Sequence, residues 1–446
     1  MSAYFSSTNF RNQDYPIIHP LRLVSEGSEF RSIEKGDGIY IFDQTGKRYI
    51  DGISGLWNSP LGHGNSKIND AVAKQLDAIA YVNMYQFSNP TTVEFCKSLL
   101  SIVPDLFQKI ILSCTGSEAV EIAIKICRKY YSILGKQNKK EFIVLDLSYH
   151  GTTFAAMSAS GIDREYATDY EPKVPGFHFF KTPFYKNGNE EEHIIEDLHS
   201  LDELFRRKSE MLAGVIIEPV LGSGGIIPLP GAFVIRIKEL CDRYDVLLVF
   251  DEVATGFGRT GAFFAFEHYN ALPDIICLSK GINNGYLPLA ANVICKKIVN
   301  LIGDTNSIVE HFSTQNGNPI ACAAGIATIG LLKESGLLES VEAKGDMLKR
   351  ELSYILKEHR NFCEVRGRGL MIGIDLVKDR KTNKTLTYEE LMYVVDQMLG
   401  NGLVAYPFFL REVTTGFSLF PPLIITEVQI KSVVEIIKRT FSRLLI

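Results

Sequence analysis

The chain has 446 residues, 46% of them hydrophobic and 22% charged, with a formal net charge of -5. That length can bury a large core and implies more than one domain, within the composition range of an ordinary soluble globular protein. The acidic balance supplies no basic field for nucleic acid and no polybasic patch for a membrane surface.

In chain order, the opening MSAYFSSTNFRNQDYP has neither a basic start nor an apolar core, so no secretory signal is expected there. No stretch approaches the roughly 20 apolar residues of a membrane span, and a cytoplasmic location is expected. Cys96, Cys114, Cys127, Cys241, Cys277, Cys295, Cys322 and Cys363 form no CxxC pair and no His-Cys cluster. They read as buried free thiols in a reducing compartment, with no metal site. Residues 1–57 carry short strand signals, GDGIYIFDQTG and KRYIDGI, set off by turn residues. From 58 to 330, the apolar runs KIILSC, EFIVLDL, GVIIEPV, DVLLVFDEV, DIICLSKG and AANVIC have strand length. Amphipathic helical patterns lie between several of them. In SEAVEIAIKICRKYY, for example, Ala119, Ile122, Ala123, Ile126 and Tyr130 share a face.

Continuous apolar strands between helices predict an α/β large domain, its mostly parallel sheet covered on both sides. The charged but periodic stretch NGNEEEHIIEDLHSLDELFRRKSE reads as a solvated helix. From 331 to 446 a helix, ESVEAKGDMLKRELSYILKEH, precedes a strand, helix, strand, helix pattern. This predicts a smaller α+β domain that the N-terminal strands join, so that it is built from both chain ends.

Two strand ends carry the chemistry. Asp251 closes the run DVLLVFD, and Lys280 follows DIICLS. Each alone is commonplace: a carboxylate capping the next loop, a lysine at the surface. Together, at the C-terminal ends of apolar strands, they fall where α/β sheets bind ligands. A lysine amine can form a Schiff base with an aldehyde cofactor while a carboxylate keeps the cofactor's ring nitrogen protonated, making the ring an electron sink. That is the pattern of a pyridoxal-phosphate enzyme. In SCTGSEAVEIAIK a strand ends in small polar residues and a helix begins at once. The free N–H groups of that helix start, with the hydroxyls of Thr115 and Ser117, suit a phosphate. A plain capping box with Glu118 or Glu121 in the first turn is the competing reading. Tyr149, His150 and Gly151 follow EFIVLDL, where an aromatic ring can stack on a planar cofactor.

With GLW at Gly55–Trp57, TGSEAVE at Thr115–Glu121, YHG at Tyr149–Gly151, IIEPV at Ile216–Val220, DEVATGFGRTG at Asp251–Gly261, SKGINNGYLPLA at Ser279–Ala290 and GNPIACAA at Gly317–Ala324, the chain resembles the class III aminotransferases over nearly its whole length. These are pyridoxal-phosphate enzymes of fold type I, with a seven-stranded type of sheet. The resemblance implies that Lys280 is the Schiff-base lysine and that Asp251 pairs with the pyridinium nitrogen. Gly116 and Ser117, with Thr115, would hold the phosphate. Tyr149 would stack on the ring and Val253 on its opposite face, with His150 and Glu218 also at the cofactor. Thr314 matches a threonine that reaches the phosphate from the other subunit, which implies a homodimer with shared active sites. Asn316 departs from the pattern, standing where a small residue is usual.

A substrate carboxylate wants a bidentate arginine. In YPFFLREVTTGFSLFPPLIIT, Arg411 precedes Pro421 at the spacing of the ω-amino acid:pyruvate and amine transaminases, alongside the bland reading of a surface residue in a turn. Ornithine and γ-aminobutyrate aminotransferases resemble each other in carrying an arginine at the position of Ser418. Glu218 therefore lacks that switching partner here. The diaminopelargonate aminotransferase shares the Arg411 spacing but has a Trp-Trp pair where this chain has Leu56–Trp57. Trp57 and Tyr149 are expected to line the substrate pocket, with Phe87 from the partner. The implied reaction is ping-pong transamination between an ω-amino acid or primary amine and a keto acid, pyruvate first. The alternatives are a diaminopelargonate- or γ-aminobutyrate-type aminotransferase, or an aminomutase or racemase that keeps Lys280 and Asp251. The glycine-rich GFGRTG lacks the Lys-Ser/Thr ending of a nucleotide P-loop.

Overall fold

Seven strands form the central sheet of the computed structural model, which describes residues 16–21, 31–162, 164, 166–186, 190–334 and 336–444. Their spatial order is Phe107–Ser113, Ala290–Cys295, Ile275–Leu278, Leu247–Asp251, Leu212–Ile217, Glu141–Leu145 and Phe177–Phe180. Only Ala290–Cys295 runs against its neighbours; the other pairings are parallel. Every residue of Leu212–Ile217, Leu247–Asp251, Ile275–Leu278 and Ala290–Cys295 is buried, which is why these strands read as near-continuous apolar runs, with Asn292 and the closing Asp251 as the polar exceptions. The edge strand Phe177–Phe180 went unread in the sequence because its short aromatic run, FHFF, is only partly buried and shows no alternation.

The helix Gly116–Ile133 packs Ala119, Ile122, Ala123 and Ile126 inward as expected. Tyr131 rather than Tyr130 completes the face, and its hydroxyl donates to the Asp245 carbonyl at 2.6 Å. The helix Glu190–Lys208 forms where the charged periodic stretch predicted one, with its own Leu201 and Phe205 on the buried face.

The chain ends meet. Strands Ile33–Asp37, Tyr40–Asp43 and Arg48–Asp51 make an antiparallel meander, and Leu403–Val404 adds to it parallel to Arg48–Asp51. After the helix Leu337–Leu356, the single strands expected from the pattern turn out to be antiparallel pairs. Phe362–Arg368 pairs with Met371–Asp379, and Tyr406–Leu410 with Thr414–Leu419, in one sheet. Helix Pro319–Lys333, mostly buried, runs one turn past the boundary placed near 330. No single helix among the described residues is long and apolar enough to cross a membrane.

One buried cation fastens these units together. Arg259, in the loop after Asp251, is 2% exposed and donates to the Pro421 carbonyl at 2.6 Å, the Leu370 carbonyl at 3.2 Å and Ser54 Oγ at 3.3 Å. Burial pulls its pKa down to about 9 against the favourable charge of Asp51.

Candidate active site

Asp251 is the last residue of its strand and lies opposite Cys277 on the neighbouring strand, which leads to Lys280. Lys280 opens a short 3-10 turn at φ 43°. That left-handed backbone is costly for a lysine and persists only where the surroundings enforce it. Desolvation lowers the Lys280 pKa, while the carboxylates of Asp251 and Glu218 pull it back up. The net shift favours a neutral amine, the form that acts as nucleophile and base.

The carboxylates around this amine are held by specific donors. Asp251 Oδ2 lies 2.8 Å from His150 Nδ1, and Oδ1 accepts from the Val253 N–H at 3.1 Å. The His150 backbone N–H donates to Ser160 Oγ at 2.8 Å, while its ring Nε2 is buried without a partner among the described residues. Glu218 Oε1 accepts from the Tyr149 N–H at 2.9 Å and Oε2 from the Gly222 N–H at 3.0 Å. Burial raises the Glu218 pKa against the opposing pull of His150. Tyr149 is therefore hung by its backbone on a carboxylate that sits beside Asp251.

At the adjoining strand end, Thr115 caps the helix Gly116–Ile133, its Oγ accepting from the Glu118 N–H at 3.1 Å. The Gly116 and Ser117 N–H groups stand at the open start of this helix, where no residue one turn earlier can take them. A Cβ on Gly116 would come within 2.9 Å of Val253, so glycine lets Val253 close on the helix start. Gly151, at φ 127°, does the same for Ser117, whose Oγ accepts from the Thr152 N–H at 3.1 Å. The two first-turn carboxylates that favoured a plain capping reading are engaged elsewhere. Glu118 accepts from the Cys114 N–H and pairs with His311, each at 2.8 Å, and Glu121 accepts from the Ala155 N–H at 2.7 Å.

Trp57 is both packed and adjacent to the lysine. It is 6% exposed, stacks on Phe420 with centroids 4.4 Å apart, and has the Lys280 Nζ 5.2 Å from its ring centroid. A Cβ on Gly222 would meet the indole at 2.8 Å, so the Glu218-bound turn seats the ring edge. Lys280, Asp251, His150, Glu218, Tyr149, Val253, Gly116, Ser117 and Trp57 thus converge. Phe87, Thr314 and Arg411 lie on exposed segments, and none hydrogen-bonds to that cluster among the described residues. Asn316 is buried with Oδ1 4.0 Å from Cys114 Sγ, a local adjustment beside the helix start. Sequence reading missed Phe420 as the platform for Trp57. Glu252 anchors the loop behind Asp251 by accepting from the Thr255 hydroxyl and the Ala265 and Phe266 N–H groups.

Pyridoxal phosphate fits this arrangement on three counts. A buried histidine nitrogen has no partner among the described residues, Gly116 lets Val253 close on the helix start, and a buried lysine of lowered pKa feels the charge of two carboxylates.

A mostly parallel seven-stranded sheet that presents these groups on one edge is the architecture of the fold-type-I transaminases. The structure superposes on a transaminase from the marine bacterium Virgibacillus with a TM-score of 0.90, 31% identity and 97% of each chain covered. An amine transaminase from an uncultivated Pseudomonas species, in its PLP-bound form, gives a TM-score of 0.91 at 30% identity, covering 97% of this chain and 100% of that one. The sequence profile described as "Aminotransferase class-III" matches residues 24–441, and the chain belongs to that family. Among its relatives, the adenosylmethionine-8-amino-7-oxononanoate aminotransferase of Staphylococcus aureus is 35% identical over 99% of both chains. The taurine–pyruvate aminotransferase of Bilophila wadsworthia is 34% identical over 92% of this chain and 91% of that one.

Proposed function

We propose that this aminotransferase moves an amino group from an ω-amino acid or primary amine to a keto acid, pyruvate first, with pyridoxal phosphate as its resident cofactor. The observation that carries the substrate class is the state of three side chains. Ser418 is buried and donates to the Tyr406 carbonyl at 3.2 Å, leaving no arginine to meet Glu218. Both Glu218 oxygens accept backbone N–H groups. Arg411 is exposed at a hairpin tip with no ion pair among the described residues, leaving its fork available for a carboxylate.

The remaining roles rest on the family resemblance together with the placement of the cluster. Gly116 and Ser117, with Thr115 and with Thr314 of a second copy, would hold the cofactor's phosphate at the helix start. With the cofactor bound, Asp251, steered by His150, would meet the ring nitrogen, and Tyr149 and Val253 would cover the ring. When bound, the cofactor supplies the electrophilic carbonyl and the electron sink that let an amino group pass between carbon skeletons. Lys280 Nζ takes the proton from the donor carbon and later returns one to the acceptor. Trp57 closes the pocket beside that amine and keeps water from it. The second substrate enters after the first product leaves, giving a ping-pong cycle.

A homodimer fits the same reading. Ile308 and Phe312, on the segment that carries Thr314, and Tyr85 and Phe87, on the loop before Pro90, are large exposed hydrophobics, and Tyr85 and Phe312 touch edge to face. A patch of this kind suits burial against a second copy. The division into a cofactor-binding domain at 58–330, with 1–57 and 331–446 forming the smaller one, belongs to this reading too.

A second reading, transfer to 8-amino-7-oxononanoate from adenosylmethionine, draws on the similarity to the Staphylococcus aureus relative along both full lengths. A donor and acceptor screen with the purified, cofactor-loaded protein separates the two. Alanine formed from pyruvate and a range of ω-amino acids or amines supports the first reading; turnover confined to adenosylmethionine supports the second. A colourless protein that takes up no pyridoxal phosphate would sink both.

A further inference from the structure

A hydrogen-bonded track runs from the cofactor side of the sheet to the tip that carries Arg411. Glu218 Oε2 accepts from the Gly222 N–H at 3.0 Å, and the Gly225 N–H donates to the Gly222 carbonyl at 3.1 Å. The Gly225 carbonyl then accepts from Arg366 Nε at 2.8 Å, and Arg366 Nη2 donates to Thr414 Oγ at 2.9 Å. Thr414 opens the second strand of its hairpin opposite Leu410, so it closes the short loop in which Arg411 sits.

This joint is unlike a loose surface ion pair. The Arg366 side chain is 10% exposed, with its guanidinium carbon 4.8 Å from the Phe184 ring centroid and 5.4 Å from that of Phe408. Its Nη1 bridges Glu364 Oε1 at 2.8 Å and Asp375 Oδ2 at 2.7 Å, two residues that face each other across paired strands. Two like charges in that register would repel. Arg366 and Lys186, the latter 3.1 Å from Asp375 Oδ2, convert them into a neutral cluster. Thr414 donates to the same Asp375 oxygen at 2.7 Å. A rigid guanidinium fork can hold several acceptors at fixed angles, which a lysine cannot. Gly225, at φ 107°, completes the fit, since a Cβ there would strike the Thr414 methyl at 2.9 Å.

We propose that Arg366, acting through Thr414, is a positioning residue for the substrate carboxylate: it fixes the reach of the Arg411 tip relative to the cofactor. The inference rests on Arg411 as the carboxylate anchor. Removing Arg366 itself strands two carboxylates in a poorly solvated place and endangers the fold. Thr414→Val instead keeps the side-chain shape and deletes only the hydroxyl, and Thr414→Ser restores it.

The test is steady-state kinetics of the cofactor-loaded enzyme with a saturating amine donor and two acceptors, pyruvate and the carboxylate-free propanal. Thr414→Val is expected to raise the KM for pyruvate about tenfold, the scale of one lost hydrogen bond to a charged group. The kcat should stay within about twofold. The KM for propanal should not move, and Thr414→Ser should return pyruvate to normal. In an Arg411→Ala background, Thr414→Val should add nothing. Equal rises for both acceptors, a fall in kcat alone, or full additivity with Arg411→Ala would each overturn the proposal. An unchanged pyruvate KM in Arg411→Ala alone overturns the carboxylate anchor and this inference together. A large loss there with a silent Thr414→Val overturns only the positioning role.

Discussion

The C-terminal edge of the seven-stranded sheet and the tip of the hairpin Tyr406–Leu410/Thr414–Leu419 both present charged groups, and they hold them in opposite ways. At the edge, Asp251, Glu218 and Glu252 are buried and accept hydrogen bonds from fixed neighbours. At the tip, Arg411 is exposed and unpaired among the described residues, and rigidity resides one step behind it, in Arg366 and Thr414. Chemistry that must be identical for every substrate gains from preorganised, dry groups. Recognition that must release one substrate and admit another gains from a side chain that can move on a rigid base.

If the edge is the chemical half, Lys280→Ala should lower transamination by more than about 10³-fold, measured as alanine formation, the range of a lost acid–base group. The visible colour of the cofactor-loaded protein should change with it. The edge also predicts a pH signature. Burial pushes the Glu252 carboxyl up to about 7, despite the hydrogen bonds it accepts from Thr255, Ala265 and Phe266. Its folded-state pKa thus lies above the unfolded value of about 4.5, so its contribution to stability is whole below that pH and is lost as pH rises through about 7. The loss is roughly 3 kcal/mol, and the unfolding midpoint should fall between pH 5 and pH 8. Glu252→Gln should flatten that slope; an unchanged slope would detach Glu252 from it.

The tip predicts a selective loss. Arg411→Ala should reduce kcat/KM for pyruvate by about 10- to 100-fold, the cost of a charge-assisted pair. A simple amine should lose less than about threefold, and equal losses would argue against the division of labour. The smallest expected effect tests the second copy. Thr314→Ala should loosen cofactor retention by about fivefold, on the scale of one hydrogen bond. In a mixed dimer with Lys280→Ala, the subunit that keeps Lys280 should retain the cofactor normally, because its threonine comes from the partner. Loosening at that site would place Thr314 in its own subunit's pocket.

The two regions were unequally legible in sequence. Strands such as Leu247–Asp251 announce themselves because both faces are covered and the four residues before the closing aspartate are apolar. Asp251 and Lys280 stand out as charges ending such runs, and family motifs surround them. The hairpin is harder to see. Pro407 interrupts it, tolerated because its strand lies at the sheet edge, and Gly416 sits within the returning strand. Arg259, Arg366 and Glu252 read as ordinary charges because their partners come from distant segments. No local pattern marks a guanidinium whose acceptors are Pro421 and Leu370. Phe420 was overlooked for the same reason, since its ring partner lies near the other end of the chain.

That long reach bears on how the molecule comes together during synthesis. The Ser54 hydroxyl donates to the Phe420 carbonyl across 366 residues, Trp57 lies flat on the Phe420 ring, and Arg48–Asp51 takes Leu403–Val404 as its neighbour. A ribosome releases the tryptophan long before the phenylalanine exists. Until the last hairpin and the residues after it emerge, the indole has no floor and the Arg259 guanidinium lacks its Pro421 acceptor, so a nascent chain carries an intact lysine beside an unfinished wall. Contacts this distant in sequence close late and slowly, leaving apolar surface exposed meanwhile. Competence for catalysis is therefore among the last properties this chain acquires, and the interval before it is the one in which chaperones and proteases have their opportunity.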